Sequence, residues 1–508
     1  MLLHQLFEAT ARLVPEKVAL ATGARRFTYG ELDGLASRLA ASLQRFGIER
    51  GDRVAIFADN GVEAVVAIYA VLKAGAVFMP VNPLTKTEKL AHLLNDSSSA
   101  CLLTTQVLRP VWESALARSA SVQSCLVSGS LAADAGTRLE SYEEAVATPG
   151  SPATAPTIDQ DLASIIYTSG SSGEPKGVML THLNMVSAAR SVNGYLGMTE
   201  KDVILCALPL AFDYGLYQIL MAFMVGATVV LEQSFAFPVT ILEKMAKEGA
   251  TVFPVVPTML SIVIGLGNLA RFDLSRLRMI TNTAAALSER HVLDVRALFP
   301  QATLFSMYGL TECKRVTYLP PEQLEIRPTS VGRGMPNEEV WLVDEQGKRL
   351  PNGCTGELVI RGSNVMRGYW HRPELTAERL RPGPYPGELV LYSGDIFRTD
   401  DEGYLYFVAR KDDIVKSRGE KVSPKEVENV LYGLEGVQDA AVIGVPDPIL
   451  GAAIKAFLVL RSGYSYGERE VIKYCLDKLE SFMVPKHVVF VDELPTTKTG
   501  KIDKSALK

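Results

Sequence analysis

The sequence predicts an α/β protein with a large multi-layer N-terminal domain and a small α+β C-terminal domain. Strand and helix patterns alternate through most of the chain, shorter β-rich segments begin near Gly353, and a charged run at Ala409–Asp413 precedes a compact final unit. The chain has 508 residues, which exceeds the length at which a single hydrophobic core stops growing. Hydrophobic residues make up 47% and charged residues 21%, as in ordinary globular proteins.

The first elements have clear boundaries in the sequence. Thr28–Glu31 is a capping box, and apolar residues at helical spacing follow it as far as Gly47. Val54–Phe57 then reads as a short strand, Val62–Ala74 as a helix and Ala76–Val81 as a second strand. This alternation is typical of helices packed on a mainly parallel sheet.

The middle of the chain predicts a division of the large domain. The segment Ser128–Pro156 is rich in Ala, Gly, Ser and Pro, so we interpret it as an irregular connection between two α/β sheet subdomains. Leu162–Tyr167 and Thr251–Val256 are the clearest buried strands after it. The pattern of short strands and Gly-containing turns from Gly353 predicts a small β-rich subdomain attached to these layers.

The charged run near Ala409 marks the predicted domain boundary, with an N-terminal domain at 1–411 and a C-terminal domain at 412–508. Ser423–Glu426 is a second capping box, with Pro at the first helical position. The strands predicted in this domain are Ala440–Val445, Ile454–Leu460 and Val488–Val491.

Charge and cysteine content exclude several classes of protein. Lys plus Arg number 52 against 57 Asp plus Glu, a net charge of −5, so neither nucleic acid nor an anionic membrane is expected as a partner. The 6 cysteines contain no C-x-x-C pair, which argues against a zinc ribbon or a disulfide framework. The first residues lack the features of a signal peptide, and we therefore expect a cytoplasmic protein of unknown oligomeric state.

The segment Tyr167–Gly177 has the composition of a phosphate-binding loop. It directly follows a predicted strand, its glycines and small hydroxyl residues allow backbone N–H groups to approach phosphate oxygens, and Lys176 adds a positive charge. It is not the common P-loop, because Pro175 precedes the lysine and glycine follows it.

This loop and four further motifs resemble those of the adenylate-forming enzymes, which include acyl-CoA synthetases, stand-alone amino-acid adenylation enzymes and firefly luciferase. The resemblance covers essentially the whole chain. The motifs occur in the order of the family: Tyr167–Gly177, Tyr308–Glu312, Ser393–Asp395, Gly403–Asp413 and Pro495–Lys501.

The resemblance implies an ATP-dependent acid–thiol ligase. A carboxylate attacks the α-phosphate of Mg-ATP to give an acyl-adenylate and pyrophosphate, and a thiol then displaces AMP to form a thioester. The thiol would be coenzyme A or the phosphopantetheine arm of a separate carrier protein. Attack of one anion on another requires aligned donors and positive charge, so catalysis is expected to consist mainly of positioning and electrostatic stabilisation.

The same resemblance implies roles for the residues of the first two motifs. Thr311 would contact the α-phosphate, Glu312 would hold Mg²⁺, and these two would act in catalysis with Lys176 and Lys501. A single carboxylate suffices for Mg²⁺ when substrate phosphates supply further oxygen ligands. The residues expected around the β- and γ-phosphates are Thr168, Ser169, Gly170, Ser171, Ser172 and Lys176.

The resemblance also implies roles for residues that bind the nucleoside and for residues that take part in the domain movement. Asp395 would bind the ribose hydroxyls with Arg410, since a carboxylate accepts two vicinal O–H donors. Lys501 would bridge the attacking carboxylate and the α-phosphate, then leave when the mobile C-terminal domain rotates about the hinge Asp412 and Gly419 lines a thiol tunnel. The adenine would lie between Tyr308 and the strand end Thr283–Ala286, where the family often has glycines. Ala284, Ala285 and Gly309 are accordingly expected among the ATP-binding residues.

The acid pocket is expected around Asp213, an acidic residue in the otherwise apolar run Leu208–Gly215. In amino-acid-activating relatives an aspartate here contacts the amino group of the substrate, so we favour a small amino-bearing acid such as a cyclic or β-amino acid or an aminobenzoate. A non-amino aryl or medium-chain acid is the alternative substrate. Asp213 could also be only the N-cap of a helix beginning at Tyr214. The predicted pocket residues are Phe212, Asp213, Tyr217, Val256, Met307 and Lys314.

Two other classes of function remain open from the sequence. A non-catalytic nucleotide-binding regulator could use the same scaffold. The joint presence of six residues opposes this alternative: Thr168, Lys176, Glu312, Asp395, Arg410 and Lys501. A luciferase-like oxygenase has no distinguishing residue here. His182 and His371 lack a second ligand at metal-binding spacing, so both are expected to be structural or surface residues.

Overall fold

The structure is a computed structural model of the 508-residue chain. Capping and apolar spacing produce the helices predicted from sequence. In the first long helix, the Thr28 hydroxyl accepts a hydrogen bond from the Glu31 N–H at 3.2 Å and the Glu31 carboxylate accepts one from the Thr28 N–H at 2.8 Å. The described residues are 1–129, 138–169, 175–267, 269–283, 287–411, 413, 415–417, 420–447, 451–479, 481, 483–497 and 501–507.

Strands and helices alternate through the first part of the chain, as expected. The strands before residue 200 are β1 Val18–Thr22, β2 Arg25–Thr28, β3 Arg53–Phe57, β4 Val77–Val81, β5 Ser99–Thr105, β6 Ser124–Ser128, β7 Arg138–Ser141, β8 Leu162–Ser169 and β9 Pro175–Thr181. The strands from there to residue 335 are β10 Val203–Cys206, β11 Thr228–Leu231, β12 Val252–Val255, β13 Met279–Asn282, β14 Thr303–Tyr308, β15 Thr317–Tyr318 and β16 Arg333–Gly334.

The remaining strands belong to the β-rich part and to the C-terminal part. The first group is β17 Glu338–Val343, β18 Thr355–Gly362, β19 Gly368–Tyr369, β20 Leu380–Pro382, β21 Leu389–Thr399 and β22 Leu405–Arg410. The second group is β23 Val415–Ser417, β24 Glu420–Val422, β25 Val437–Asp447, β26 Gly451–Leu460 and β27 His487–Phe490.

The helices pack on both faces of the large sheets. Those of the N-terminal part are α1 Leu3–Leu13, α2 Tyr29–Arg45, α3 Val62–Lys73, α4 Thr87–Asp96, α5 Arg109–Leu116, α6 Tyr142–Ala147, α7 His182–Leu196, α8 Asp213–Val225, α9 Pro238–Glu248, α10 Pro257–Gly265, α11 Glu289–Leu298 and α12 Pro373–Arg379. α13 Pro424–Tyr432 and α14 Glu468–Leu476 follow in the C-terminal part. No helix in the described ranges is both long and apolar enough to cross a membrane.

Two mainly parallel sheets form the predicted α/β layers. Sheet A has the order β16-β15-β14-β13-β12-β10-β11-β1-β2, and sheet B has the order β19-β9-β8-β4-β3-β5-β6-β7. One continuous apolar core joins them, and α3 is buried along almost its whole length between the layers. The predicted pair of α/β sheets is therefore confirmed.

The interpretation of Ser128–Pro156 as a connection between the two sheets is wrong. This segment carries β7 and α6, and β7 extends the edge of sheet B. β8, which follows the segment, pairs in parallel with β4, which precedes it, and the Ser164 hydroxyl donates a hydrogen bond to the Phe78 carbonyl at 3.0 Å. Composition suggested a boundary here, but strand pairing places both sides of the segment in one sheet.

The β-rich subdomain is confirmed as a separate antiparallel sheet, ordered β17-β18-β21-β20, with β22 paired to β21. The C-terminal part has a sheet ordered β25-β26-β27, the hairpin β23-β24 and an apolar core of its own that includes Val427, Leu431 and Ile454. A large N-terminal unit and a smaller α+β C-terminal unit are therefore present, as the sequence predicts.

Candidate active site

The site lies where the carboxyl ends of several parallel strands of sheet A meet. β10, β12, β13 and β14 run in parallel, and their register aligns Val255 with Asn282 and Asn282 with Ser306. The loops that follow these strands therefore converge at one edge of the sheet, which is where α/β proteins bind ligands. Asp213, Val256, Met307 and the motif beginning at Tyr308 all follow or end these strands.

The phosphate-binding segment is held by a hairpin of sheet B. β8 and β9 pair in antiparallel fashion, and Thr168 lies opposite Lys176 at its base. Gly170, Ser171 and Ser172 lie outside the described residues, and for Ser169 only the backbone is described. The hairpin thus positions Thr168 and Lys176 together, as the sequence predicts.

Asp96 anchors this hairpin and was not identified from the sequence. Its Oδ2 accepts a hydrogen bond from the Tyr167 hydroxyl at 2.5 Å, and its Oδ1 forms an ion pair with Arg372 at 2.9 Å. The Asp96 backbone carbonyl also accepts a hydrogen bond from the indole of Trp370 at 3.0 Å. Three separate segments are therefore fixed to one another immediately beside Thr168.

Glu312 lies close to the same hairpin. The Tyr369 hydroxyl donates a hydrogen bond to Glu312 Oε1 at 2.7 Å, and Lys176 Nζ lies 5.7 Å from the centroid of the Tyr369 ring. Thr311 precedes Glu312 in the half-buried loop after β14. Tyr369 therefore links the predicted Mg²⁺ ligand to the predicted phosphate-binding lysine, a link that the sequence did not suggest.

The donor set fits Mg²⁺ held partly by a substrate. Within the described ranges, no cluster of three or more His, Cys, Asp or Glu residues is arranged to bind a metal ion. Mg²⁺ is commonly held by one or two carboxylates with substrate phosphates as further ligands. Glu312 beside Lys176 and Thr311 provides such a carboxylate next to the predicted phosphate site.

The predicted ribose-binding residues come together across two paired strands. Asp395 on β21 lies opposite Arg410 on β22, with 4.0 Å between Oδ1 and Nε. The Tyr308 hydroxyl donates a hydrogen bond to Asp395 Oδ2 at 2.6 Å. Burial raises the pKa of Asp395, while the Tyr308 hydrogen bond and Arg410 oppose this effect. Ala284 and Ala285 lie outside the described residues.

Lys501 lies among the acidic groups of this site. Burial lowers its pKa, and nearby Arg410 lowers it further, whereas Asp213, Asp395 and Glu312 act in the opposite direction. Its backbone is held by Thr497, whose hydroxyl accepts a hydrogen bond from the Lys501 N–H at 3.2 Å. The structure thus brings a C-terminal lysine to residues of three different N-terminal segments.

Contacts between the two parts of the chain support this arrangement. Arg461 on the C-terminal side forms an ion pair with Asp294 of α11 at 3.4 Å. The rings of His291 and Tyr432 lie 5.1 Å apart in an edge-to-face arrangement. Asp439 accepts a hydrogen bond from the Ser261 hydroxyl at 3.4 Å. The predicted hinge Asp412 and tunnel residue Gly419 lie outside the described residues.

Asp213 is the first residue of α8, and Phe212 occupies the N-cap position. The alternative of Asp213 as the N-cap of a helix beginning at Tyr214 is therefore wrong. The Asp213 carboxylate instead pairs with Lys314, whose Nζ lies 3.3 Å from Oδ2 and donates to the Asp213 carbonyl at 2.9 Å. Asp213 keeps 24% of its side chain exposed, whereas Lys314 keeps 1%.

The other predicted pocket residues surround this pair or follow the same strand ends. Lys314 Nζ lies 4.4 Å from the centroid of the Tyr217 ring. Met307 is buried and its sulfur accepts a hydrogen bond from the Tyr195 hydroxyl at 3.0 Å. Val256 is buried at the start of α10. Burial lowers the pKa of Lys314 to about 7, and Asp213 opposes this shift.

Arg315 is a second buried cation that the sequence reasoning missed. Only 1% of the residue is exposed, and its guanidinium carbon lies 5.0 Å from the centroid of the Tyr214 ring. Its Nε and Nη1 atoms have no hydrogen-bond partner in the described part of the chain. It directly follows Lys314, and two adjacent cations just after the Tyr308–Glu312 motif were a signal available in the sequence.

The two histidines singled out in the sequence occupy structural and surface positions. His182 is buried, and its Nδ1 accepts a hydrogen bond from the Leu3 N–H at 3.1 Å. His371 lies in a loop with a positive φ of 51°. Both positions agree with the structural or surface roles predicted for them.

Gly309 allows the backbone of the Tyr308–Glu312 motif to pack against the cationic segment. A Cβ atom at this position would overlap the Lys314 carbonyl oxygen and lie 3.0 Å from the Arg315 Cα. We expect Gly309→Ala to lower the free energy of unfolding by about 1–3 kcal/mol, because backbone must move to relieve the contact. Urea denaturation measures this change.

The matched control is Gly194→Ala in α7, where a Cβ atom would have nothing within 4 Å. This variant is expected to be as stable as the wild type or more stable, since alanine favours a helix. Equal stability of Gly309→Ala and the wild type would contradict the packing interpretation.

The predicted phosphate-binding hairpin, the predicted ribose-binding residue Asp395 and Lys501 thus lie near the predicted acid pocket, as expected of an enzyme that activates its substrate with a nucleotide. The sequence model of the AMP-binding enzyme family matches residues 7–370, and that of the AMP-binding enzyme C-terminal domain matches residues 426–501. The chain therefore belongs to the AMP-binding enzyme family, and the predicted membership of the adenylate-forming superfamily is confirmed.

Individual relatives agree with this assignment. A feruloyl-CoA synthase from Amycolatopsis sp is 34% identical over 98% of this chain and 96% of its own length. Tyrocidine synthase 3 from Brevibacillus parabrevis is 31% identical over 99% of this chain, which spans only 8% of that protein. Among solved structures, an anthranilate CoA ligase in complex with anthranoyl-AMP has a TM-score of 0.90 at 27% identity, covering 100% of this chain and 96% of its own.

A benzoate CoA ligase from Burkholderia xenovorans has a TM-score of 0.89 at 28% identity, covering 100% of this chain and 99% of its own. These relatives confirm the predicted fold class and the predicted enzyme class, an AMP-forming acid–thiol ligase. ATP, Mg²⁺ and either coenzyme A or phosphopantetheine are the cofactors and substrates of this class, as the sequence predicts.

Proposed function

We propose that this enzyme activates a small amino-bearing carboxylic acid as its adenylate and transfers the acyl group to the thiol of coenzyme A or of a carrier protein. The observation that carries the proposal is the position of Asp213, which lies in the predicted acid pocket and within electrostatic reach of Lys501. Lys501 is in turn within reach of Asp395 and Glu312 on the nucleotide side. An acid bound between these groups would have its carboxylate near the α-phosphate.

The residues have distinct tasks in the first step. Thr168 and Lys176 hold the β- and γ-phosphates, while Asp395 and Arg410 fix the ribose. Bound at Glu312, Mg²⁺ would neutralise phosphate charge. Lys501 donates to both the substrate carboxylate and the α-phosphate, so that it stabilises the charge that develops between two anions.

The second step requires Lys501 to leave. We propose that the domain of residues 412–508 rotates relative to that of residues 1–411, with Asp412 as hinge and Gly419 beside the entering thiol. Lys501 sits at the end of the smaller unit and is tied to it through Thr497, so rotation of this unit would withdraw it. Such gating concentrates the change of backbone conformation in a few residues.

The amino group of the substrate is assigned to Asp213. A carboxylate accepts a hydrogen bond from an amino group, and 24% of the Asp213 side chain remains exposed for that purpose. Similarity to an anthranilate CoA ligase supports this substrate class. Similarity to feruloyl-CoA and benzoate ligases favours the alternative, a non-amino aryl acid.

An acid panel distinguishes these substrates. Pyrophosphate release is measured with aminobenzoates, small amino acids, benzoate and hydroxycinnamates, and the best acid is then tested with and without coenzyme A. Preference for benzoate or a hydroxycinnamate over every amino-bearing acid would favour the alternative.

Replacing Asp213 tests the assignment directly. We expect Asp213→Ala to lower kcat/KM for the preferred amino-bearing acid by about 10- to 100-fold and to change that for its deaminated analogue much less, since only the former loses a hydrogen bond. Asp294→Ala, at an acid of the domain contact, serves as control and should leave this ratio unchanged. Equal loss for both acids would assign Asp213 a structural role.

A further inference from the structure

The charge around Asp213 restricts the kind of amino group that can bind there. Lys314 is its charged partner in the described part of the chain, and this ammonium is fully buried against the Tyr217 ring. The Asp213 charge is therefore already balanced before any substrate arrives. An amino group that brings a further positive charge would be placed beside Lys314.

Other charged groups near the pair add to this effect. Arg315 follows Lys314, is buried against Tyr214, and has no acid within ion-pair distance in the described ranges. Lys501 is within electrostatic reach of Asp213 as well. Lys314 therefore pairs with Asp213 directly, and Arg315 and Lys501 are further cations of the same region.

The remaining acids act on different groups: Asp395 and Glu312 act on Lys501, whereas Asp213 is the acid that acts on Lys314. Glu338, like Arg315, acts electrostatically on Tyr195, and burial raises the pKa of Glu338, while a hydrogen bond from Asn364 opposes this shift. Glu312 accepts a hydrogen bond from Tyr369 and Asp395 accepts one from Tyr308, so both carboxylates are held on the side of the predicted nucleotide site. Like charges in a poorly hydrated pocket repel strongly, because little solvent screens them.

We infer that the Asp213–Lys314 pair selects an acid with a neutral aryl amino group and rejects one with an alkylammonium group. This inference rests on the proposed function and narrows it to an aminobenzoate-like acid. A neutral aryl amine donates an N–H to the exposed edge of the Asp213 carboxylate and leaves the ion pair intact. An alkylammonium would have to displace Lys314, which is buried, or lie beside it.

Two ring series of similar shape test the inference. The three isomeric aminobenzoates are compared with benzoate, and the corresponding aminocyclohexanecarboxylates with cyclohexanecarboxylate, by ATP–pyrophosphate exchange at pH 6.5, where an aryl amine is neutral and an alkyl amine is protonated. The amino group should raise kcat/KM at least about tenfold in the best aromatic pair and lower it about 100-fold in the saturated series. A saturated amino acid preferred over its deaminated analogue would overturn the inference.

Lys314→Met should weaken the rejection of saturated amino acids. It leaves Asp213 without its partner, so the saturated amino acids should gain about tenfold or more relative to the wild type. Lys348→Met, at an exposed lysine of the β-rich subdomain, is the matched control and should show wild-type ratios. If Lys314→Met does not fold, Lys314→Gln gives the same test, and the wild-type comparison needs no variant. Unchanged ratios in a folded Lys314 variant would refute the inference.

The outcomes separate this inference from the proposed function. If the amino group lowers kcat/KM in both series, the enzyme does not act on amino-bearing acids and the proposed function fails. If the amino group raises kcat/KM only in the saturated series, where it is an ammonium, the proposed function stands and the inference alone fails.

Discussion

Lys501→Ala is expected to slow adenylation by about 100- to 1,000-fold, because it removes the cation that faces charge developing between the carboxylate and the α-phosphate. Lys501 is buried within electrostatic reach of Asp213, Asp395, Glu312 and Arg410, which lie around the proposed reaction site. The measurement is ATP–pyrophosphate exchange with the preferred acid.

The second half-reaction provides the internal control for Lys501→Ala. Thioester formation from a supplied acyl-adenylate should remain within about threefold of the wild type, since Lys501 is proposed to leave before the thiol enters. Lys473→Ala, which replaces an exposed lysine in the last turn of α14, should change neither adenylation nor thioester formation. Equal loss in both half-reactions would falsify the proposed role of Lys501.

Glu312→Gln is expected to lower kcat by about 100-fold at moderate Mg²⁺ concentration and to raise the concentration needed for half-maximal activity. The amide keeps the shape of the side chain but loses the charge that a hard cation prefers. Titration of pyrophosphate exchange with Mg²⁺ measures both effects.

Two further variants define the contribution of Glu312. Tyr369→Phe removes the hydroxyl that orients the carboxylate and is expected to cost about tenfold, because an indirect partner of a metal ligand matters less than the ligand itself. Glu289→Gln, at an exposed acid in the first turn of α11, should leave the titration unchanged. An unaltered Mg²⁺ dependence in Glu312→Gln would remove Glu312 from the metal site.

Local sequence signals predicted most elements of the fold. Capping boxes and apolar spacing gave the helices that begin after Thr28 and Ser423, because these signals act within a few residues. The division at Ser128–Pro156 was wrong, because composition reports local irregularity and says nothing of which strands pair. β8 pairs with β4 across that segment, and such long-range pairing depends on the packing of the whole domain.

The candidate site shows the same difference between what local sequence signals reveal and what depends on long-range contacts. Thr168 and Lys176 could be proposed from one short segment, since small residues and a lysine after a strand carry a chemical meaning by themselves. Tyr369 and Asp96 could not, because Tyr369 reaches Glu312 from 57 positions away and Asp96 reaches Tyr167 from 71. An isolated tyrosine or aspartate is an unremarkable residue until folding brings its partner to it.

The amino-acid sequence by itself determined the class of this enzyme, since ordered motifs and the chemistry of their side chains require only adjacency along the chain. The tertiary structure decided how Asp213 is used, because it placed Lys314, a residue from a different strand end, against that carboxylate and buried the pair. A charge acts on whatever lies within a few ångströms in space, and the distance of 101 residues between the two gives no sign of that contact.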